Sequence, residues 1–93
     1  MSTDTNSSTY IKALGYVKRT KNRQQIVNII ANTRKTPSEI KEIMDVDFSL
    51  VSRALRDLKD RDIVVCENPE DRIGRLHKLT DLGLQIYEEL NQK

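Results

Sequence analysis

Residues 36–60 constrain the fold more than any other part of the sequence, because they predict two short helices with almost no chain between them. Thr36 can cap the first helix, Pro37 suits its first position, and Glu39 stands three residues after the cap, which is the pattern of a capping box. Apolar residues then recur at helical spacing as far as Met44, where this helix is predicted to end.

Residues 45–47 are predicted to form a tight turn, with Asp47 as the cap of a second helix over residues 48–60. One face of this helix is apolar and consists of Val51, Ala54, Leu55 and Leu58. A helix of this kind packs through its apolar face and leaves the opposite face for solvent or a ligand. Two short helices joined in this way predict a helix-turn-helix.

The rest of the chain is predicted to add helices on both sides of this pair and one β-hairpin. In chain order these elements are a helix over 10–19, a helix capped by Thr20 or Asn22, strands over 63–66 and 76–79, and a last helix capped by Thr80-Asp81. Residues 1–9 are small and polar with nothing to bury, which predicts a disordered N-terminal tail. The fold class predicted for residues 10–93 is mainly α with a small β-hairpin wing, a winged helix-turn-helix.

Several function classes are excluded by composition. One cysteine, one histidine and three glycines leave no intrachain disulfide, no cysteine metal cluster, no glycine-rich phosphate loop and no recognisable catalytic pair. We interpret His77 as a strand residue rather than a ligand, and Cys66 as a small core residue rather than a redox switch. No apolar run approaches a membrane span and no signal-peptide pattern is present. The sequence predicts a cytoplasmic protein that is not an enzyme and holds no cofactor or metal.

Charge is unevenly distributed along the chain. Residues 5–38 contain seven basic and no acidic residues, whereas residues 39–93 contain nine basic and thirteen acidic ones. This asymmetry is typical of a surface that binds a polyanion, and a solvated basic face has the same composition. The basic stretch 18–23 either adds phosphate contacts or is a solvated linker.

Residues 48–60 also have the side chains that a recognition helix needs for double-stranded DNA. Arg53 and Arg56 share one face, and each can offer a bidentate fork to guanine or to a phosphate. The alternative is an ordinary amphipathic surface helix with ion pairs such as Asp57–Arg61.

Residues 67–75 form the predicted wing. Arg72 and Arg75 suit the DNA backbone or the minor groove, while the acidic residues of the same loop oppose that role.

The helix start at Thr36 can face a phosphate, or its cap is purely structural. The predicted DNA-binding residues are Lys35, Thr36, Ser49, Leu50, Ser52, Arg53, Arg56, Arg72 and Arg75.

Three ordered stretches resemble the winged-helix regulators of the ArsR and MarR type, and the short archaeal versions most closely. They are Thr36-Pro-Ser-Glu-Ile, Leu50-Val-Ser-Arg-Ala-Leu-Arg-Asp-Leu-Lys and Gly74-Arg-Leu-His-Lys-Leu-Thr-Asp-Leu-Gly, within a resemblance that covers about residues 20–92. The resemblance implies a DNA-binding transcription factor, usually a homodimer, with residues 51–55 in the recognition helix and residues 72–75 in the wing. That family often has an aromatic residue where His77 stands, and its metal-sensing branch uses cysteine clusters, so metal sensing is doubtful here.

Two hypotheses follow for function. The first is a sequence-specific regulator that binds double-stranded DNA, and the alternative is a winged-helix protein-interaction module in a transcription or replication assembly. A homodimer through the first and last helices is predicted from apolar residues beyond one packing face, which are Tyr10, Ile11, Leu84 and Tyr87. These four residues close the core of the monomer in the alternative interpretation.

Overall fold

A computed structural model describes the backbone of residues 2–92 and the side chains of residues 8–92. In chain order the elements are α1 (Ser2–Lys18), α2 (Lys21–Ile30), α3 (Pro37–Met44), α4 (Phe48–Asp60), β1 (Val64–Cys66), β2 (His77–Leu79) and α5 (Asp81–Leu90). The strands pair antiparallel, with Val64 opposite Leu79 and Cys66 opposite His77. Within the described residues, five helices and one two-stranded hairpin confirm the predicted fold class, a winged helix-turn-helix.

The first helix begins earlier than the sequence predicts. Residues 2–9 belong to α1, where a disordered tail was predicted, and Met1 lies outside the described residues. Once a helical turn is held by packing, each further residue adds a hydrogen bond at little extra cost, so a polar segment can continue the helix. The division of the chain into a tail over 1–9 and a domain over 10–93 stays a prediction.

Branched aliphatic side chains from all five helices and the hairpin form one core. The fully buried ones include Val17, Ile26, Val27, Ile30, Ile40, Val51, Leu58, Ile63 and Ile86. Burying one such side chain contributes about 1.5–3 kcal/mol, which exceeds the few tenths that a β-branched residue loses in helix propensity. The helix α2, rich in isoleucine and valine, therefore depends on this packing.

Three helices begin at the caps that the sequence predicts. A threonine hydroxyl accepts a hydrogen bond from the backbone N–H of the third helical residue at the starts of α2, α3 and α5, and these caps are Thr20, Thr36 and Thr80. The carboxylate of Glu39 also accepts from the backbone N–H of Thr36 at 2.8 Å, which completes the predicted capping box. Asp47 precedes α4 as predicted, but within the described part of the chain its side chain makes no capping hydrogen bond.

The start of α5 lies directly against the hairpin, and Gly83 allows this approach. A Cβ atom at Gly83 would lie 2.2 Å from the carbonyl oxygen of Ile63 and 3.1 Å from the Cβ of Leu79. The hydroxyl of Thr80 donates to the carbonyl oxygen of Asp62 at 2.5 Å, so the same cap also holds the residues before β1. By contrast, a Cβ at Gly15 in α1 would meet nothing within 4 Å.

These two glycines give a matched pair of substitutions. Gly83→Ala forces α5 away from backbone atoms that cannot move independently, so we expect the free energy of unfolding to fall by about 1–3 kcal/mol. Gly15→Ala meets no obstacle and improves helix propensity, so we expect a gain of up to about 1 kcal/mol. Urea denaturation of both variants checks this, and equal changes in the same direction would contradict the close approach at Gly83.

Candidate nucleic-acid interface

The helix α4 has one buried face and one exposed face, as its sequence predicts. Val51, Leu55 and Leu58 are buried and Ala54 is half-buried against the core. Of the predicted DNA-binding residues on this helix, Ser49, Arg53 and Arg56 are exposed, while Leu50 and Ser52 are half-buried. Contact between these five side chains and DNA stays a prediction.

A tight turn joins α3 to α4. Asp45 takes a left-handed backbone conformation with φ of 58°, and its N–H donates to the carbonyl oxygen of Lys41 at 2.8 Å. Aspartate tolerates this conformation better than most residues do. The two helices consequently pack directly on each other, with Ile40 and Val51 fully buried.

The start of α2 lies beside the exposed face of α4. A groove of about 280 Å³ separates them, and its lining includes Thr20 and Asn22 from the start of α2 and Ser49, Leu50 and Arg53 from α4. Sequence reasoning treated the basic stretch before α2 as a possible linker and missed this neighbour. Only the tertiary packing of α2 brings the two segments together, so no local sequence signal predicts it.

Two arginine side chains stack on the ring of Tyr16. The guanidinium carbon of Arg23 lies 3.7 Å from the centroid of the ring and that of Arg61 lies 3.9 Å from it. Arg23 also donates from Nη1 to the carbonyl oxygen of Tyr16 at 2.8 Å. Such cation–π contacts contribute about 0.5–2 kcal/mol each. Arg23 is therefore engaged within the protein, and among the described residues Arg61 forms no ion pair with Asp57.

The wing loop is folded around the side chain of Asn68. Its amide nitrogen donates to the Asp71 carboxylate at 2.9 Å and to the Gly74 carbonyl oxygen at 3.3 Å, and its Oδ1 accepts from the N–H of Leu76 at 2.7 Å. Nε of Arg75 donates to the carbonyl oxygen of Asp71 at 2.6 Å. These bonds give the loop a defined shape.

The two predicted wing arginines, Arg72 and Arg75, are both exposed on this loop. Among the described residues, the side chain of Arg75 makes one hydrogen bond, from its Nε to the loop backbone, and its terminal nitrogens make none. Asp71, which opposed DNA binding in the sequence, has its carboxylate hydrogen-bonded to the Asn68 amide.

The base of the wing is fastened to the segment before α3. Arg34 forms an ion pair with Glu67 through Nε and Oε1. Lys35 pairs with His77 through an isolated antiparallel β-bridge, with N···O distances of 3.0 and 2.8 Å. The sequence did not predict this pairing, which sets the wing beside the start of α3.

Lys35 and Thr36, the predicted DNA-binding residues at the start of α3, are both half-buried. Nζ of Lys35 donates to the hydroxyl of Thr33 at 2.8 Å, and the hydroxyl of Thr36 accepts the capping bond from the N–H of Glu39. Both side chains already have hydrogen-bond partners within the protein, so a contact with DNA has to share the Lys35 ammonium or the Thr36 hydroxyl with those partners. Their role in DNA binding stays a prediction.

His77 lies under the wing as a strand residue with only 3% of its surface exposed. Both ring nitrogens lack a hydrogen-bond partner in the described part of the chain. Burial lowers the pKa of His77 from its ordinary value of 6.5, and the positive charge of Lys59 lowers this pKa further. Both effects disfavour the protonated form of the imidazole at the base of the wing.

This burial makes stability depend on pH. Above pH 6.5 the imidazole is neutral in both states, and below it the unfolded chain takes the proton more readily than the folded one. Stability therefore falls as the pH drops below 6.5. We expect His77→Phe to remove this dependence, which urea denaturation at several pH values between about 7.5 and 5.5 measures, a window above the ordinary carboxylate pKa values. Parallel profiles for variant and wild type would contradict it.

The described residues contain no group of three or more histidine, cysteine, aspartate or glutamate side chains that could hold a metal ion. No helix among them is both long enough and apolar enough to span a bilayer.

The helix pair α3–α4 and the β1–β2 hairpin define a winged helix-turn-helix, and comparison with solved structures gives the same fold. No protein-family model and no curated protein matches the chain. HlyU from Vibrio cholerae superposes with a TM-score of 0.75 at 17% identity, covering 90% of this chain and 89% of that one. The reduced form of MarR from E. coli gives 0.68 at 29% identity, covering 94% and 68%.

A third match is a C30AH42A mutant of ZitR from Lactococcus lactis, with a TM-score of 0.68 at 21% identity over 76% of this chain. The chain spans about half the length of ZitR, 49%. The structural neighbours of this chain are thus winged-helix regulators of the MarR and ArsR type.

Proposed function

We propose that this protein is a transcription regulator of the MarR and ArsR type that binds double-stranded DNA sequence-specifically, with α4 in the major groove and the wing on the backbone or in the minor groove. The observation that carries this proposal is the pair of exposed arginines, Arg53 and Arg56, on a helix whose opposite face is buried. The structural neighbours, which are regulators and not enzymes, support it. The short archaeal versions are the branch that the sequence resembles.

The dipole of α4 favours one orientation on DNA. Its partial positive charge lies at the end toward Phe48, and Arg53 and Arg56 lie in the middle of the helix. The other end carries charges of both signs, Asp57 and Asp60 with Lys59. A recognition helix presents base contacts from its N-terminal half, where Ser49 and Arg53 lie.

The wing offers cations to the DNA backbone beside α4. The wing carries Arg72 and Arg75, and its base is tied to the segment before α3 by the Arg34–Glu67 ion pair. That ion pair also neutralises one acidic residue of the wing. Phosphate contacts position a protein on the duplex but do not read its sequence, so in this proposal the bases are read by α4.

Removing the two arginines of α4 tests the proposal directly. We expect Arg53→Ala and Arg56→Ala each to weaken binding by about 1–3 kcal/mol where the arginine reads a base. Fluorescence anisotropy measures this with a duplex that the wild-type protein selects from a randomised pool, titrated at several salt concentrations. Affinity for this duplex should fall steeply with salt, because released counterions drive binding.

Lys12→Ala is the matched control, since Lys12 is exposed on α1 in a groove shared with Arg61 just beyond the C-terminal end of α4. It removes the same charge and should leave affinity near wild type. Unchanged binding by the double variant R53A/R56A would refute major-groove readout by α4. A wild-type protein that binds no duplex at low salt would refute the function and leave the protein-interaction module as the remaining hypothesis.

We also propose that the protein is a homodimer through α1 and α5. Three of the four predicted interface residues, Tyr10, Leu84 and Tyr87, are half-buried against the core of the monomer. Burial and the nearby carboxylate of Glu89 raise the pKa of Tyr10, which fits its position beside α5. Ile11 remains 64% exposed on α1 and is the residue that monomer packing does not explain.

A charge at Ile11 should separate the subunits. We expect Ile11→Glu to convert the dimer into a monomer, because a carboxylate desolvated at the centre of an apolar interface is strongly unfavourable. Sedimentation velocity measures the change. Ile43→Glu is the control, since Ile43 is similarly exposed on α3, outside the proposed interface. A wild-type protein that is monomeric at micromolar concentration contradicts the dimer.

A further inference from the structure

The tip of the wing presents an apolar side chain to solvent. Ile73 is 92% exposed, more than any other large hydrophobic side chain among the described residues. It stands between Arg72 and Gly74, with Arg75 one residue further on. Single exposed apolar side chains are common on protein surfaces, so it is the position of Ile73 between two arginines that sets it apart.

The loop holds Ile73 in a defined place. Gly74 adopts a φ of 72°, a conformation that glycine reaches without strain, and its carbonyl oxygen accepts a hydrogen bond from the Asn68 amide. On the other side, Asp71 is bonded through its carboxylate to Asn68 and through its carbonyl oxygen to Arg75. Hydrogen bonds therefore fix both flanks of Ile73, and its exposure follows from the folded shape of the wing.

The charges next to Ile73 indicate which partner fits this tip. Arg72 and Arg75 are exposed and cationic on either side of a single apolar side chain. Two acidic residues, Glu70 and Asp71, precede Arg72, and the carboxylate of Asp71 is hydrogen-bonded to the Asn68 amide. An apolar protein partner would need a wider apolar patch than one residue supplies. The minor groove of a DNA duplex matches the tip, because its two walls end in phosphates while its interior is lined by deoxyribose and base edges.

We propose that Ile73 enters the minor groove beside the α4 site, between phosphates bound by Arg72 and Arg75, and that it selects A·T pairs there. The inference rests on the proposed function. At a G·C pair the N2 amino group of guanine projects into the minor groove, whereas A·T and T·A pairs lack it. An isoleucine at the groove floor collides with that amino group and desolvates it without offering an acceptor. Ile73 is thus a specificity-determining residue.

The experiment uses a base analogue that changes the minor-groove edge of a base pair and keeps its major-groove edge. In the selected duplex, A·T pairs flanking the α4 site are replaced first by G·C and then by hypoxanthine·C, which keeps the major-groove edge of guanine but lacks its N2 amino group. We expect G·C at the wing position to weaken binding about tenfold, the size of a single unfavourable base pair. Hypoxanthine·C should restore most of the affinity.

Variants test whether Ile73 causes this discrimination between A·T and G·C pairs. Ile73→Ala should bring the ratio of the affinities for A·T and G·C at the wing position close to one. Val65→Ala, which trims another exposed side chain of the hairpin, should keep the wild-type ratio. Arg72→Ala should weaken binding to all sequences and reduce the salt dependence, while Ile73→Ala should leave the salt dependence unchanged.

Two results would overturn the inference while the proposed function stands. One is equal affinity of the wild-type protein for the G·C and hypoxanthine·C duplexes. The other is an Ile73→Ala variant that still distinguishes A·T from G·C at the wing position as well as wild type does. In both cases DNA binding would still depend on Arg53. A wild-type protein that binds no duplex overturns the proposed function itself, and the inference with it.

Discussion

The rotation of α4 about its own axis is the constraint on which the interface depends. Burial of Val51, Leu55 and Leu58 fixes this rotation, since each buried side chain contributes about 1.5–3 kcal/mol. Turning the helix by one residue would expose part of that face and draw arginine toward the core, where an unpaired charge is strongly unfavourable. The outward direction of Arg53 and Arg56 is therefore set by the core behind them.

The wing depends on a second set of contacts, which come from distant parts of the chain. Gly83 lets α5 approach the hairpin, and the short pairing of Lys35 with His77 joins the hairpin to the segment before α3. The ring nitrogens of His77 are buried there without hydrogen-bond partners among the described residues, at a cost in stability that the surrounding packing offsets. The base of the wing is thus held on two sides.

Local signals predicted those parts of the fold that local physics determines. The capping box of Thr36 and Glu39 and the apolar stripe of α4 act within a few residues, and the structure has both. The contacts of Tyr16 with Arg23 and Arg61 join α1 to the ends of two other helices, and no periodicity encodes them. The early start of α1 was missed because helix propensity alone does not report how a packed helix extends into a polar segment.

The charge asymmetry of the sequence takes on a different meaning once the partners of the basic residues are known. Within the basic segment 5–38, Arg23 stacks on a tyrosine, Arg34 pairs with a glutamate and Lys35 donates to a threonine. Of these three charges only that of Arg34 is cancelled by an acidic partner, while Arg23 and Lys35 keep their charge but have a side-chain donor engaged within the protein. Arg53 and Arg56 stand exposed on a helix whose position is fixed by packing, so they lose less conformational entropy on binding than cations on a mobile tail would. Recognition by such a surface depends more on where a few cations are held than on net charge.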